Sequence, residues 1–421
     1  MTKKTGRSLR SIGLVGAVVM LLLIGSVVGL GASAVTPRVF TGSGGSVLLF
    51  DNETGETATG IEIVFDAPAG VGAGEVIAFG GDESTEVFTW ADSAWVSAEL
   101  IAGGTLQVSL SEESTASVVS ASFSNDPRDR LKALNARAYE ARNTADLAAL
   151  QALSDPGFVH HQDANTRNLE EDHEFLGVIK TVFPDMHFTI HDTVAEGDRV
   201  GVRYTFSGTW LAPWGGIPPS GETITFTGAQ FHRFGDDGKM LETLGNADTL
   251  GLLQQLGIAP PTGRETYTWT EPAEQTGEPS YDLEANKALV LQSTDELWNA
   301  HNPEAIDKFM APNYVHHDPG LPMVKDINGY KAFVPATLAA FPDFHSTVNV
   351  ILAEGDRVAT RVTVTGTQLG EYRGLPPTGN EVNYTAVVFF RIEDGMIAET
   401  WWSIDVLSVL RQLGVIPSPG G

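Results

Sequence analysis

Apolar and polar residues alternate along this chain in two rhythms, and the rhythm changes near residue 126. Between residues 38 and 125, short period-two runs such as "SVLLF", "IEIVFD", "EVFTW" and "TLQVSL" are cut by glycine-rich turns. Alternation of this kind turns one face of a strand inward and one outward. Short strands at regular spacing predict a small β-sandwich. Beyond residue 126 the rhythm mixes helix and strand. Residues 129–142 and 283–300 carry apolar positions at helical spacing, and a second helix in each region stops at the proline of "FPD". Paired alternating stretches follow: "HFTIHDTVAEGDRVGVRYTFSGTW", then "TITFTGAQFHRF" with "MLETLGNA". Helices segregated from a meander of long strands predict an α+β unit. Its antiparallel sheet must curl round the helices, which leaves a cone with an apolar pocket at its open end.

This unit is written twice. "AEGDRV" stands at 195–200 and again at 353–358. "VHH" recurs at 159–161 and 315–317, "FPD" at 183–185 and 341–343, and "PPSG" at 218–221 answers "PPTG" at 376–379. "DTLGLLQQLG" from Asp248 matches "DVLSVLRQLG" from Asp405. Two collinear copies of a domain-sized unit are a tandem pair and not a solenoid, whose periods run to roughly 20–50 residues. The expected organisation is residues 1–34 as a membrane segment, 38–125 as the β-module, 127–257 as the first cone, 258–281 as a linker rich in Pro, Thr, Gly and Glu, and 282–415 as the second cone. The two cones are expected to pack on each other as an intrachain pseudo-dimer.

Lys3, Lys4, Arg7 and Arg10 precede an uncharged run at 12–30 that would reach about 28 Å as a helix, close to one bilayer core. Basic residues before such a run favour a cytoplasmic N-terminus, which places the rest of the chain outside the cytoplasm on a membrane anchor. Ala32-Ser33-Ala34 resembles a cleavage site, so secretion after signal removal is the alternative. The net charge of −27, from 53 acidic and 26 basic residues, argues against nucleic acid as a partner, since binding it needs clustered Lys and Arg. It suits a high-salt milieu, where self-repulsion is screened. The absence of cysteine excludes disulfides, thiolate metal sites and Cys nucleophiles. No third ligand stands at a recognised spacing from "HHQD" or "HHDP", so no metal is expected.

The ordered set "HDP … FPD … AEGDRV … GLPPTG … FRIEDG" with "DxLxxLRQLG" resembles the SnoaL-like polyketide cyclase, or ester cyclase, family, which has the NTF2-like cone fold. The resemblance covers both copies and not the first 125 residues. It implies ring closure by intramolecular aldol chemistry without metal or cofactor, with one aspartate as acid and base. By motif that residue is Asp405 in the second copy and Asp248 in the first. A carboxylate in an apolar pocket has its pKa raised toward working pH, and such a group can move a proton from the carbon between two carbonyls. Both aspartates also stand where a helix N-cap belongs, and Asp is a favoured cap. His161 and His317 are candidates to donate to developing oxyanion charge. Trp401, Trp402 and Tyr314 are candidates for the pocket wall, with core packing as the plain alternative for the tryptophans. The first copy has Leu244 and Gly245 at the tryptophan positions and His161-Gln162-Asp163 where the second has His317-Asp318-Pro319, so the second copy is the better candidate for activity. The sequence thus supports two functions: cofactor-free acid/base chemistry on a small apolar carbonyl compound, or extracytoplasmic binding of such a molecule without chemistry.

Overall fold

The structure, a computed structural model, describes the strands between residues 33 and 124 and then residues 126–163, 165–214, 216–259, 272–273 and 277–416. The apolar run at 12–30, and with it the expected membrane helix or signal peptide, lies outside the described residues. Among the described residues no helix is long and apolar enough to cross a membrane. The chain falls into two compact units, 1–130 and 131–421.

In the first unit the strands are β1 (Ser33–Ala34), β2 (Arg38–Gly42), β3 (Gly45–Asp51), β4 (Ala58–Phe65), β5 (Val76–Gly81), β6 (Glu86–Thr89), β7 (Ser93–Leu110) and β8 (Val118–Ser124). They hydrogen-bond in the order β1-β8-β4-β7-β3-β2, with β5 and β6 also on β7. β7 is long enough to pair β4 and β6 with its first half and β3 and β5 with its second. Leu48, Phe50, Ile61 and Ile63 are buried, two residues apart on β3 and β4, as alternation requires. The strands expected from the sequence are therefore present. The connecting residues that would define a sandwich lie outside the described ones.

The second unit holds two mixed α+β domains. The first runs α1 (Pro127–Thr144), α2 (Leu147–Leu153), β9 (Ser154–Gln162), β10 (Asn165–Asn168), α3 (Leu169–Val182), β11 (His187–Glu196), β12 (Arg199–Thr209), β13 (Thr223–Phe234), β14 (Met240–Ala247) and α4 (Thr249–Gln255). The second runs α5 (Leu283–Ser293), a π-helical turn (Thr294–Asn299), α6 (Ile306–Phe309), β15 (Met310–His317), α7 (Ile327–Ala340), β16 (His345–Glu354), β17 (Arg357–Thr367), β18 (Glu381–Glu393), β19 (Met396–Ile404) and α8 (Val406–Gln412). The sheets have the orders β10-β9-β14-β13-β12-β11 and β15-β19-β18-β17-β16. One feature departs from the all-antiparallel expectation: β9 pairs β14, and β15 pairs β19, in parallel. After each "VHH" strand the chain passes through a helix to the far edge and meanders back, and only such a crossover can bring parallel neighbours together.

The repeated motifs are structural joints. α3 opens with a reciprocal capping box, Asn168 on the Glu171 N–H and the Glu171 carboxylate on the Asn168 N–H. The aspartates of the two "FPD" motifs, Asp185 and Asp343, each accept from the backbone and hydroxyl of a threonine ending the second meander strand, Thr209 and Thr367. Hydrogen bonds from those threonines hold both carboxyls below the usual range. In "AEGDRV" the glycines Gly197 and Gly355 take φ of 62° and 58°, the left-handed region where a Cβ is strained.

The glutamates of the hexapeptide cross between copies. Glu354 Oε2 accepts from the Ala195 N–H at 2.8 Å, and Glu196 Oε2 accepts from the Ala353 N–H at 2.8 Å. Lys132 of α1 pairs with Glu354, and Lys287 of α5 with Glu196. Each turn therefore clamps the other copy's strand and helix. The reciprocity accounts for the identical spelling, because a change in one copy would unbalance a joint made by both. Between the joints the outer faces of the sheets share an apolar cluster that includes Val194, Phe231, Leu352, Ala359, Val387 and Phe389. Charge-assisted bonds of this kind are worth about 1.5–3 kcal/mol each. Glu354→Ala should lower the unfolding free energy of the chain by about 2–3 kcal/mol, read from urea denaturation followed by circular dichroism. A change below about 0.5 kcal/mol, the range of ordinary surface substitutions, would mean the joint is ornamental.

Candidate functional site

The second cone holds a cavity of about 70 Å³. Strand alternation decides which side chains reach it. On β19, Thr400, Trp402 and Ile404 line the cavity, while Trp401, Ser403 and the following Asp405 lie on the other face. On β17 the lining residues are Thr360, Val362 and Val364, and on β18 they include Tyr384, Ala386 and Val388. The π-helical turn presents Trp298, and α7 presents Tyr330 and Phe333. The mouth carries Tyr372 and Arg373, on a loop tied by Arg373 Nη1 to the Gly320 carbonyl at 3.0 Å.

The floor of this apolar cavity is polar. Thr400 Oγ1 lies 2.5 Å from the Tyr314 hydroxyl, which lies 3.0 Å from His316 Nδ1. His316 Nδ1 is also 3.2 Å from Thr400 Oγ1. Burial pushes the His316 pKa down to about 3 and the Tyr314 phenol well above its usual value. His316 is therefore a neutral ring at pH 7. Its Nε2, the Trp402 Nε1 and the Thr360 hydroxyl are buried without a protein hydrogen-bond partner. Three such groups in and beside one cavity are polar capacity that a ligand or water would satisfy.

The two copies differ where the sheets supply the wall. Ser346, Val362 and Val364 of the second copy stand where the first has Phe188, Tyr204 and Phe206, matched through the same strand registers. Phe188 contacts Tyr204 at 5.4 Å and Phe206 at 5.2 Å between ring centroids, and Phe206 stacks on Phe226 at 4.8 Å. Aromatic bulk occupies in the first cone the space that small side chains leave open in the second.

Of the residues singled out from sequence, Trp402 lines the cavity and Tyr314 lies beneath it. Trp401, Asp405, Asp248, His317 and His161 do not line it. His317 points away from the cone, stacks on Trp401 (5.4 Å between rings, 4° between planes) and bonds Glu399 through Nε2 at 2.7 Å. Burial alone would raise the Glu399 carboxyl, but His317, the Ala273 N–H and Arg391 together bring it below its usual value. His317 and Trp401 border a smaller crevice of about 20 Å³, shared with Arg203 and Tyr204 of the first copy. His161 sits by the β10 edge, 3.0 Å from the Thr166 hydroxyl. The inward histidines are their neighbours, His316 and His160. The adjacent pair signalled that one would face in, and the parity of each strand decided which.

Asp405 and Asp248 cap their helices. Asp405 Oδ1 accepts from the Ser408 N–H at 2.9 Å, and Asp248 Oδ1 from the Gly251 N–H at 3.0 Å. Asp405 is nonetheless buried, and burial raises its pKa despite the cap bond. Its electrostatic partner is Asp163 of the first copy, at the end of β9 with φ 52°. Asp163 accepts from Thr249 Oγ1 at 2.8 Å and Asn246 Nδ2 at 3.2 Å, and burial together with the Asp405 charge pushes it up to about 7. Asn246 in turn donates to Thr385 Oγ1 at 2.9 Å and accepts from Ser403 Oγ at 3.0 Å, so these carboxylates belong to the joint between copies. Among the described residues no group of three or more His, Asp or Glu is placed to hold a metal ion.

An acid whose pKa is raised on folding leaves the folded state with more protons than the unfolded chain between the two values. Stability then falls as pH climbs through that window, here from about 4 to about 7. Asp163→Asn should flatten this slope, which reaches at most about 1.4 kcal/mol per pH unit for one group. Urea midpoints measured from pH 4 to 8 check it, and parallel curves for both proteins would contradict it.

No curated relative matches the chain. Solved structures resembling one copy include IdmH of Streptomyces antibioticus, described as a proposed polyketide cyclase (30% identity over 30% of this chain and 99% of that one, TM-score 0.29). Others are a proposed SnoaL-like polyketide cyclase of Jannaschia sp. CCS1 (27%, 33% and 99%, TM-score 0.30) and AclR of Streptomyces galilaeus, a proposed hydroxylase (27%, 32% and 89%, TM-score 0.30). A family model matches residues 133–256 and again 288–413, the same two units that the repeats delimit and more than half of the sequence. The chain accordingly belongs to the SnoaL-like polyketide cyclase family, twice over.

Proposed function

We propose that the second cone binds a small, mainly apolar molecule carrying a carbonyl or hydroxyl oxygen. The observation that carries this reading is the cavity itself: aromatic and aliphatic walls above a floor of hydroxyls backed by a neutral histidine, with no carboxylate in the lining. Convergent donors in an apolar pocket orient an oxygen by hydrogen bonds. The cavity is about half the ~150 Å³ that admits benzene in an engineered apolar core. A ring-sized ligand therefore needs the loop bearing Tyr372 and Arg373 to shift, at the expense of the Arg373–Gly320 bond. The apolar N-terminal run supports placing this cone outside the cytoplasm, on a membrane stalk or secreted.

A second reading is cofactor-free acid/base chemistry at the same cone, and family membership favours it. It needs a base. His316, held by burial at about 3, lies far below a base matched to pH 7. Asp405 has the raised pKa a base would use, but would have to leave the Ser408 N–H and turn through the sheet. Binding makes neither demand.

Cyclohexanone should quench the fluorescence of the full chain saturably, since Trp298 and Trp402 line the cavity. Thr400→Val should weaken that binding about fivefold, the worth of one neutral hydrogen bond near 1 kcal/mol. Quenching that never saturates, or that Thr400→Val leaves unchanged, would remove the cavity from the function.

A further inference from the structure

The joint between the copies is not filled throughout. The crevice of about 20 Å³ lies where the outer face of β12 and β13 meets that of β19. Strand parity puts Arg203 of β12 with Thr227 and Ala229 of β13 on one side, and Trp401 and Ser403 of β19 on the other. His317 of β15 stands beside Trp401. The space is above the ~10–15 Å³ that seats one water-sized particle and far below the ~150 Å³ that admits a benzene ring. Its occupant is therefore a single atom or little more.

Two of the side chains around it can donate and cannot accept. Arg203 is 6% exposed, and its guanidinium lies 4.3 Å from the centre of the Trp401 ring. A guanidinium carries N–H donors only and keeps its charge at every working pH. Trp401 is 3% exposed, and its indole N–H, also a donor only, has no protein partner among the described residues. An unmatched buried donor is costly, so the crevice calls for an acceptor. Charge selects which kind. Among the described residues no carboxylate lines the crevice. Asp192 answers Arg203 from outside it, 3.6 Å from Nη2 and so beyond hydrogen-bond length, and is shared with Arg357 Nε at 3.3 Å. Arg357 has Asp356 besides, at 2.9 Å. Glu399 stands behind His317, held by His317 Nε2 at 2.7 Å and Arg391 Nε at 2.9 Å. His191, on another wall, feels the guanidinium: burial and then the Arg203 charge push its pKa down to about 4, so it is neutral at pH 7. Duplication offers the same place twice, with Arg361 matching Arg203 and Leu244 matching Trp401 through the strand registers. Leucine has no N–H, so the pair of donors is complete only at Arg203 and Trp401.

We propose that this crevice is a halide site, in which one chloride ion accepts hydrogen bonds from the Arg203 guanidinium of the first copy and the Trp401 indole N–H of the second. Chloride is small enough for the space, carries the charge that a buried guanidinium attracts and has no proton of its own to place. Sulfate and carboxylates exceed the space as it stands. The ion belongs to the joint, where it ties one copy to the other. The proposal does not depend on what the second cone binds.

The probe is sodium chloride exchanged for sodium gluconate at constant ionic strength, which keeps the screening of the net charge of −27 fixed. The Trp401 indole ¹⁵N–¹H resonance of the full chain, assigned by its loss in Trp401→Phe, should move downfield and saturate as chloride replaces gluconate. Trp298, in the cavity of the second cone, should stay in place. Arg203→Gln should raise the chloride concentration at half-shift about tenfold or more, the worth of one charge-assisted hydrogen bond. Arg203→Lys, which keeps the charge, should raise it less. A Trp401 resonance that does not move in the unaltered protein, or that moves without saturating, would overturn the proposal whether or not the variants fold. Saturation that Arg203→Gln leaves unchanged would overturn it too.

Discussion

Everything about the second cone depends on the two-residue period of β19. A strand cannot present Trp401 and Trp402 to the same side, and the side is fixed by Thr400 and Ile404, which share the cavity with Trp402. The same parity sends Ser403 and Asp405 to the joint with the first copy, where Ser403 meets Asn246 and Asp405 faces Asp163. β15 obeys it too: His316 shares the inner face with Tyr314, and His317 is left outside against Trp401. A one-residue slip would exchange the cavity wall with the interface. The buried network of Tyr314, Thr400 and His316 opposes such a slip, because it is satisfied in one register only.

The duplication separates what the copies must share from what each can change. The joints are shared: crossed glutamates at the AEGDRV turns, aspartate caps at the last helices, FPD aspartates tying strand ends. Interiors can diverge without altering those joints. Large residues at 188, 204 and 206 fill one cone with aromatic rings, while small ones at 346, 362 and 364 open the other. Protein interiors are packed nearly as densely as crystals, so exchanges of this size decide whether a cavity exists.

The repeats made the tandem pair, its helices and its strands legible in the sequence, because period and punctuation are local properties. The parallel edge pairing of β9 and β15 was not, since it depends on a crossover that no short window records. Asp405 and Asp248 could be read as catalyst or as cap. Both readings fit an aspartate before a helix, and the hydrogen bonds to Ser408 and Gly251 are those of the cap. The histidine pairs announced an inward member without naming it. Asp163 was visible only as a departure from the second copy's pattern. Its burial beside another carboxylate is a property of the joint, and a joint between copies has no signature along the chain.

On the proposed reading, the functional face of β19 is the one bearing Trp402 and not the one bearing Trp401 and Asp405. Indole ¹⁵N–¹H resonances, assigned by single Trp→Phe substitutions, test it most directly during titration with cyclohexanone. The Trp402 and Trp298 signals should shift together and saturate at one concentration while Trp401 stays in place. Movement of Trp401 with Trp402 unmoved would put the ligand on the other side of the sheet and contradict it.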